Sequence, residues 1–225
     1  GVIAACDAYD KNTVVGPRPT VPTGAMFQNY VALGNSITAG YQSGGINDAT
    51  QRESYAAVLA AQMGTVYEYP SLAGRGCAPP VVNFLTQQRF GHTTENPVDG
   101  STCDLLAEGV ANTLNNVAVP GAAVVDLTAE DGTSNSNPLT SLFLGGRTQV
   151  EKALQADPTF ASIWIGNNDV LPAAVSGVLA PLAGVSPGVT SQAAFETEYN
   201  EMVDQLLAGE SGLEGVLVGV VEVAN

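Results

Sequence analysis

The stretch Asn29-Tyr30-Val31-Ala32-Leu33-Gly34-Asn35-Ser36-Ile37-Thr38-Ala39-Gly40 sets the pattern of this chain. A short apolar run that ends in glycine predicts a buried strand over 29–34. The same signal recurs downstream. Residues 65–69 alternate and predict a second strand, 116–119 a third, the continuous apolar run Phe160–Gly166 a fourth, and 215–221 a fifth. Helices fall between them. Tyr55, Val58, Leu59 and Met63 are at helical spacing within 53–63, and 138–156 is largely helical with Gly145-Gly146 as a break. Ser191 caps a helix whose Phe195, Tyr199, Met202, Val203, Leu206 and Leu207 form one apolar stripe. Strands that alternate with helices predict an α/β fold with a parallel sheet covered on both faces. Ligands of such sheets bind at the carboxyl ends of the strands, beside the topological switch point. The loops after the first, third and fourth strands are therefore the place to look for chemistry.

Composition narrows the partners. The chain has 225 residues, 45% hydrophobic and 13% charged, enough for one sizeable domain. Seven Lys and Arg stand against 22 Asp and Glu, a net charge of −15. Such a surface repels phosphate backbones and anionic lipid, so no nucleic-acid partner is expected. No window of 18 apolar residues free of Pro is present, which argues against a transmembrane helix.

The three loops carry a hydroxyl, a close-approach glycine and a carboxamide. After the first strand comes Gly34-Asn35-Ser36-Ile37-Thr38-Ala39-Gly40; after the third, Val119-Pro120-Gly121-Ala122; after the fourth, Gly166-Asn167-Asn168-Asp169. A glycine amide and an Asn side-chain NH2 near a serine hydroxyl can donate to a developing oxyanion, which is most of an acyl-transfer site. Taken singly, Ser36 reads as a helix-start serine, Gly121 as a turn glycine and Asn168 as a turn or cap residue. Order and placement together carry the functional reading. Asp169 reads as a loop-holding residue.

These blocks resemble the SGNH (GDSL-type) hydrolase family. Its first block, G-D-S-x-(S/T)-x-G, is met by residues 34–40 with Asn35 in place of Asp; its second-block glycine matches Gly121, and its G-x-N-D block matches Gly166–Asp169. The resemblance implies a three-layer α/β/α sandwich with a five-stranded parallel sheet in flavodoxin-like order, here without its last C-terminal helix. It implies Ser36 as nucleophile, and the amides of Ser36 and Gly121 with the Asn168 side chain as oxyanion hole. No cofactor and no metal are implied. Thr38 stands where a G-x-S-x-G elbow needs its second glycine, which disfavours the ordinary α/β-hydrolase reading.

Two departures bear on activity. Asn35 for Asp keeps a hydrogen-bonding carbonyl and loses a charge. The family's D-x-x-H block, which supplies base and orienting acid, does not occur, and the chain is expected to be a fragment that is inactive by itself. His92, the one histidine, lies in the long irregular region 71–112 and is a remote substitute for the base. Residues 170–195 are without charge and read either as an apolar wall for an acyl chain or as an ordinary buried helix and loop.

At the amino end, Gly1-Val2-Ile3-Ala4-Ala5-Cys6 resembles a bacterial lipoprotein cleavage box, with Cys6 lipidated; the alternative is a free cysteine on a ragged start. Residues 1–26 then make this start and a Pro-rich linker, and 27–225 the hydrolase domain. Cys77 and Cys103 remain as a disulfide candidate in an exported protein, or as two unrelated buried thiols. The expected function is serine ester hydrolysis of a small ester or an acylated glycan or lipid, in the cell envelope or secreted, with membrane anchoring through Cys6. The alternatives are an envelope lipoprotein that binds a glycan or lipid without catalysis and, more remotely, a flavodoxin-like nucleotide binder, which no phosphate-cradling Gly loop supports.

Overall fold

A computed structural model describes residues 24–128, 137–183 and 187–220. Cys6, almost all of the linker and the end of the fifth expected strand lie outside the described residues. The first strand, β1 (Tyr30–Gly34), is buried along its whole length. A short helix α1 (Ser36–Ala39) follows at once, then α2 (Asp48–Arg52) and α3 (Tyr55–Met63). The expected helix over 53–63 thus starts at Tyr55, capped by Ser54, whose hydroxyl accepts from the Ala57 amide. A small hairpin of β2 (Val81–Asn83) and β3 (Gln88–Arg89) stands within the long 71–112 region. Next come α4 (Pro138–Leu144) and α5 (Gln149–Leu154), separated at Gly145-Gly146 as expected. The chain continues through β4 (Phe160–Trp164), α6 (Asn167–Ser176), α7 (Gln192–Gly209), capped by Ser191, and β5 (Glu214–Val218).

The sheet is parallel, in the order β1-β4-β5, with Gly34 opposite Trp164 and Trp164 opposite Val218. Five regular strands were expected; among the described residues it has three. The third expected strand lies beside β1 but is irregular. The Ala32 amide donates to Asn115 O (2.7 Å), Val117 N to Ala32 O (2.9 Å) and Val119 N to Gly34 O (3.2 Å), yet only Ala32 and Asn116 form a bridge. The cause is Asn116: its Oδ1 accepts from the Ala118 amide at 3.0 Å and pulls the backbone into a local turn. The second expected strand, 65–69, forms no ladder. Glu68 O accepts from both Asn115 N and Asn116 N, while Glu68 N donates to the Asn115 side chain. A side-chain amide has taken the place of a partner carbonyl. Across the sheet the order is 115–119, β1, β4, β5, that is 2-1-3-4 in chain order, which matches the flavodoxin-like arrangement.

The period of two along β1 divides the core. Val31 and Leu33 pack with Phe143, Val150, Met202 and Leu206 from α4, α5 and α7. Tyr30 and Ala32 pack on the opposite face with Ala56, Ala60 and Met63 of α3. Helices therefore cover both faces, and the molecule is a three-layer α/β/α structure. The 71–112 region is held by a disulfide between Cys77 and Cys103, the pair anticipated from the sequence.

Candidate active site

Gly34 is where β1 becomes a turn. Its φ of +150° lies in the region that favours glycine, and a Cβ there would collide with Trp164 O and Thr38 Oγ1. Gln149, fully buried on α5, grips the same residue. The Gly34 amide donates to Gln149 Oε1 at 2.8 Å, and Gln149 Nε2 donates to Gly34 O at 2.9 Å. A side-chain amide here imitates the peptide of a neighbouring strand and fixes the exit of the chain toward Ser36. Nothing in the sequence pattern marked Gln149, since its partner is 115 positions away.

Asn35 caps α1, its Oδ1 accepting from the Ile37 amide at 3.1 Å. This is the bond an Asp would make. The side chain is 1% exposed, and its Nδ2 donates toward Asn167 Oδ1 at 3.4 Å, which a carboxylate could not do. At so buried a position the neutral amide also avoids the cost of an unpaired charge. Asn35 therefore keeps the turn that the block needs. Ser36 is half-buried as the first residue of α1; its carbonyl accepts from Gly40 and Tyr41, and its hydroxyl has no hydrogen-bond partner among the described residues.

The flanking loops sit on either side of this strand end. Val119 is bonded to Gly34 on one side and Trp164 pairs with Gly34 on the other, so the loops of Gly121 and Asn168 bracket that of Ser36. Gly121 is exposed with φ +84°, and Asn137 Nδ2 holds its loop through Pro120 O at 2.7 Å. Asn168 Nδ2 donates to Ala122 O at 2.8 Å. One proton of that NH2 fixes the plane of the amide, and the second is free to donate elsewhere.

Gly121 and Asn168 line one cavity of about 550 Å³, together with Asp126, Asn137, Asp169 and Thr190 among others. Ser36 is not among its lining residues. Asp169 is 3% exposed and ties three segments: its carboxylate accepts from Val124 N (3.0 Å) and Thr190 Oγ1 (2.8 Å), and its carbonyl from Thr190 N (3.0 Å). This is the loop-holding part expected of it. Burial pushes its pKa up against those hydrogen bonds. Asp126 was not singled out from the sequence. Its Oδ2 accepts from the Ala123 amide at 2.8 Å, its Oδ1 is buried without a partner, and burial together with the nearby Asp169 charge raises its pKa. An acidic residue three positions into a turn was the available signal, and it reads equally well as a cap.

His92 is not brought to Ser36. Its Nδ1 accepts from the Val98 amide at 3.0 Å within its own loop, and no hydrogen bond links it to Ser36 among the described residues. No group of three metal-ligating side chains occurs among the described residues either.

The family described as GDSL-like lipase/acylhydrolase matches residues 30–213, a span that contains all three loops. No curated protein and no solved structure is significantly similar to the chain.

Proposed function

The chain belongs to the GDSL-like lipase/acylhydrolase family, and on that premise we propose that it is a serine ester hydrolase working through an acyl-enzyme. The observation that carries this reading is the convergence of the Ser36, Gly121 and Asn168 loops at one end of the parallel sheet, around Gly34. In the proposed reaction Ser36 Oγ attacks the ester carbonyl and its proton passes to a histidine base. The amides of Ser36 and Gly121 and the Asn168 NH2 take the charge on the oxyanion. Collapse expels the alcohol, which receives the proton from the imidazolium, and water then releases the acid by the same base.

The substrate that fits is a neutral ester, free or on a glycan or lipid. A net charge of −15 disfavours an anionic one. The Cys77–Cys103 disulfide supports an exported location, in keeping with a lipid on Cys6. Among the described residues no histidine is hydrogen-bonded to Ser36, and a serine without a base is a weak nucleophile, so this arrangement is expected to give little or no turnover. The test is hydrolysis of p-nitrophenyl acetate and butyrate by Ser36→Ala against the parent protein. Loss of turnover with an unchanged fold supports the reading, and equal turnover sinks it.

The same observation favours a second reading. A Ser36 hydroxyl without a bonded base suits a cleft that binds an acylated glycan or lipid and does not cleave it. Covalent reaction of a serine-directed fluorophosphonate at Ser36, read by mass spectrometry, would reject it.

A further inference from the structure

The β2–β3 hairpin shows its apolar residues to solvent. Val82 is 61% exposed, Phe84 68%, Leu85 96% and Phe90 46%. Val82 lies on β2, and Phe84 and Leu85 lie in the turn that joins β2 to β3. Apolar side chains exposed together on one short segment mark an interaction site more often than single scattered ones do.

The tip is ordered in spite of its exposure. Asn83 Oδ1 accepts from the amides of Leu85 (3.0 Å) and Thr86 (3.2 Å), and Gln87 Nε2 donates to Phe84 O at 2.6 Å. Its base is braced on the domain. Val81 N donates to Ser43 O, Phe90 N to Pro80 O, and the Arg89 guanidinium to both Gly44 O and Pro79 O. The Cys77–Cys103 disulfide lies just before β2. The Leu85 and Thr86 amides and the Phe84 carbonyl are thus satisfied by neighbouring side chains, which lowers the cost of moving the tip from water toward hydrocarbon.

Charge selects the partner. Residues 69–94 contain no Asp or Glu in a chain that carries 22 of them. Both arginines of this stretch are engaged, Arg75 with Asp104 and Arg89 with the backbone carbonyls. The hairpin therefore presents neither a repelling charge nor a free cation for anionic headgroups. Size points the same way. Aromatic side chains span about 150–250 Å² each, so four partly exposed residues offer on the order of 500 Å², short of the roughly 800 Å² per partner of a stable protein interface. Shallow insertion into a lipid boundary needs only the depth of one tip, about 5–10 Å.

We propose that the β2–β3 hairpin inserts Phe84 and Leu85 into the hydrocarbon boundary of a neutral lipid surface, a contact independent of any lipid on Cys6 and of catalysis at Ser36. The test is flotation of the disulfide-intact chain carrying Cys6→Ser with phosphatidylcholine vesicles. The parent should float with the lipid, and Phe84→Asp/Leu85→Asp should need at least tenfold more lipid for half-binding. Val175→Asp, at an exposed apolar residue of α6, should bind as the parent does. In a Leu85→Trp chain, indole emission should shift to the blue on adding vesicles and be quenched by bromolipid. A parent that stays with the soluble fraction, a double variant that floats equally well, or an indole emission that does not move in the Leu85→Trp chain would each overturn the proposal. So would concentration-dependent self-association that the double variant abolishes, since the tip would then be a protein contact.

Discussion

Gln149 and Gly34 pair through both ends of the Gln149 amide, at 2.8 and 2.9 Å, in a fully buried position at the end of β1. The bond sits two residues before Ser36. It couples a helix on one face of the sheet to the turn that aims the proposed nucleophile. Gly34 O has a second donor in Val119 N, whereas among the described residues the Gly34 amide has Gln149 Oε1 as its acceptor.

Gln149→Met keeps the volume and removes both bonds. Leaving the Gly34 amide unsatisfied should cost about 1–3 kcal/mol, read as a lower urea midpoint with an unchanged slope. In an active chain kcat should fall more than KM rises, because the turn that orients Ser36 loosens while the cavity residues keep their places. A stability loss with kcat unchanged would make Gln149 a packing residue only.

The outline of the fold was legible because β1 and β4 are continuous apolar runs that are also buried, so pattern and packing coincide. Residues 65–69 show the limit of that signal. Their burial alternates, with Val66 68% exposed and Tyr67 half-buried, as the sequence pattern implied. Periodicity reports side chains, however, and the backbone partner had been replaced by the Asn115 amide. The three loops of the site were legible through their order. Gln149 and Asp126 were not, because one acts on a residue 115 positions away and the other sits in a four-residue 3-10 helix where an Asp reads as a cap.

Cys103→Ser opens a loop whose ends are 26 positions apart. The chain-entropy account puts the loss at about 3.5 kcal/mol. The 71–112 region packs on the turn after α1 through bonds such as Ile46 N to Ala78 O and Cys77 N to Ile46 O. Cleavage by a protease at low concentration should therefore begin within 71–112 in the variant, while the sheet core stays protected. Equal protease sensitivity in parent and variant would show that these hydrogen bonds hold the region without the disulfide.

Asp126 has its pKa raised, first by burial and then by Asp169. A carboxyl whose folded pKa lies above its unfolded value binds more protons folded than unfolded between the two values. Stability therefore falls as pH rises through that window, from the ordinary 3.8 upward. Asp126→Asn retains an acceptor for the Ala123 amide and removes the buried charge. At pH 7 it should raise Tm by on the order of 2–4 °C for each kcal/mol of relief, and the difference should vanish below pH 3.8. A Tm that drops at pH 7 would mean that the ionised Asp126 has a partner that Asn cannot replace.

Asn168 separates the two readings of the site. Its NH2 is held by Ala122 O at 2.8 Å with one proton left over. If that proton meets an oxyanion, Asn168→Ala should lower kcat by about 10²–10³ while KM changes little, because the bond forms only as charge develops. Labelling of Ser36 by a fluorophosphonate should slow in parallel, since the phosphonate oxygen occupies the same place. If the cleft only binds, the substitution should weaken ligand affinity directly and leave no turnover to measure. A variant with kcat intact and KM raised would place Asn168 against the ground-state ester and move the oxyanion contacts to the Ser36 and Gly121 amides alone.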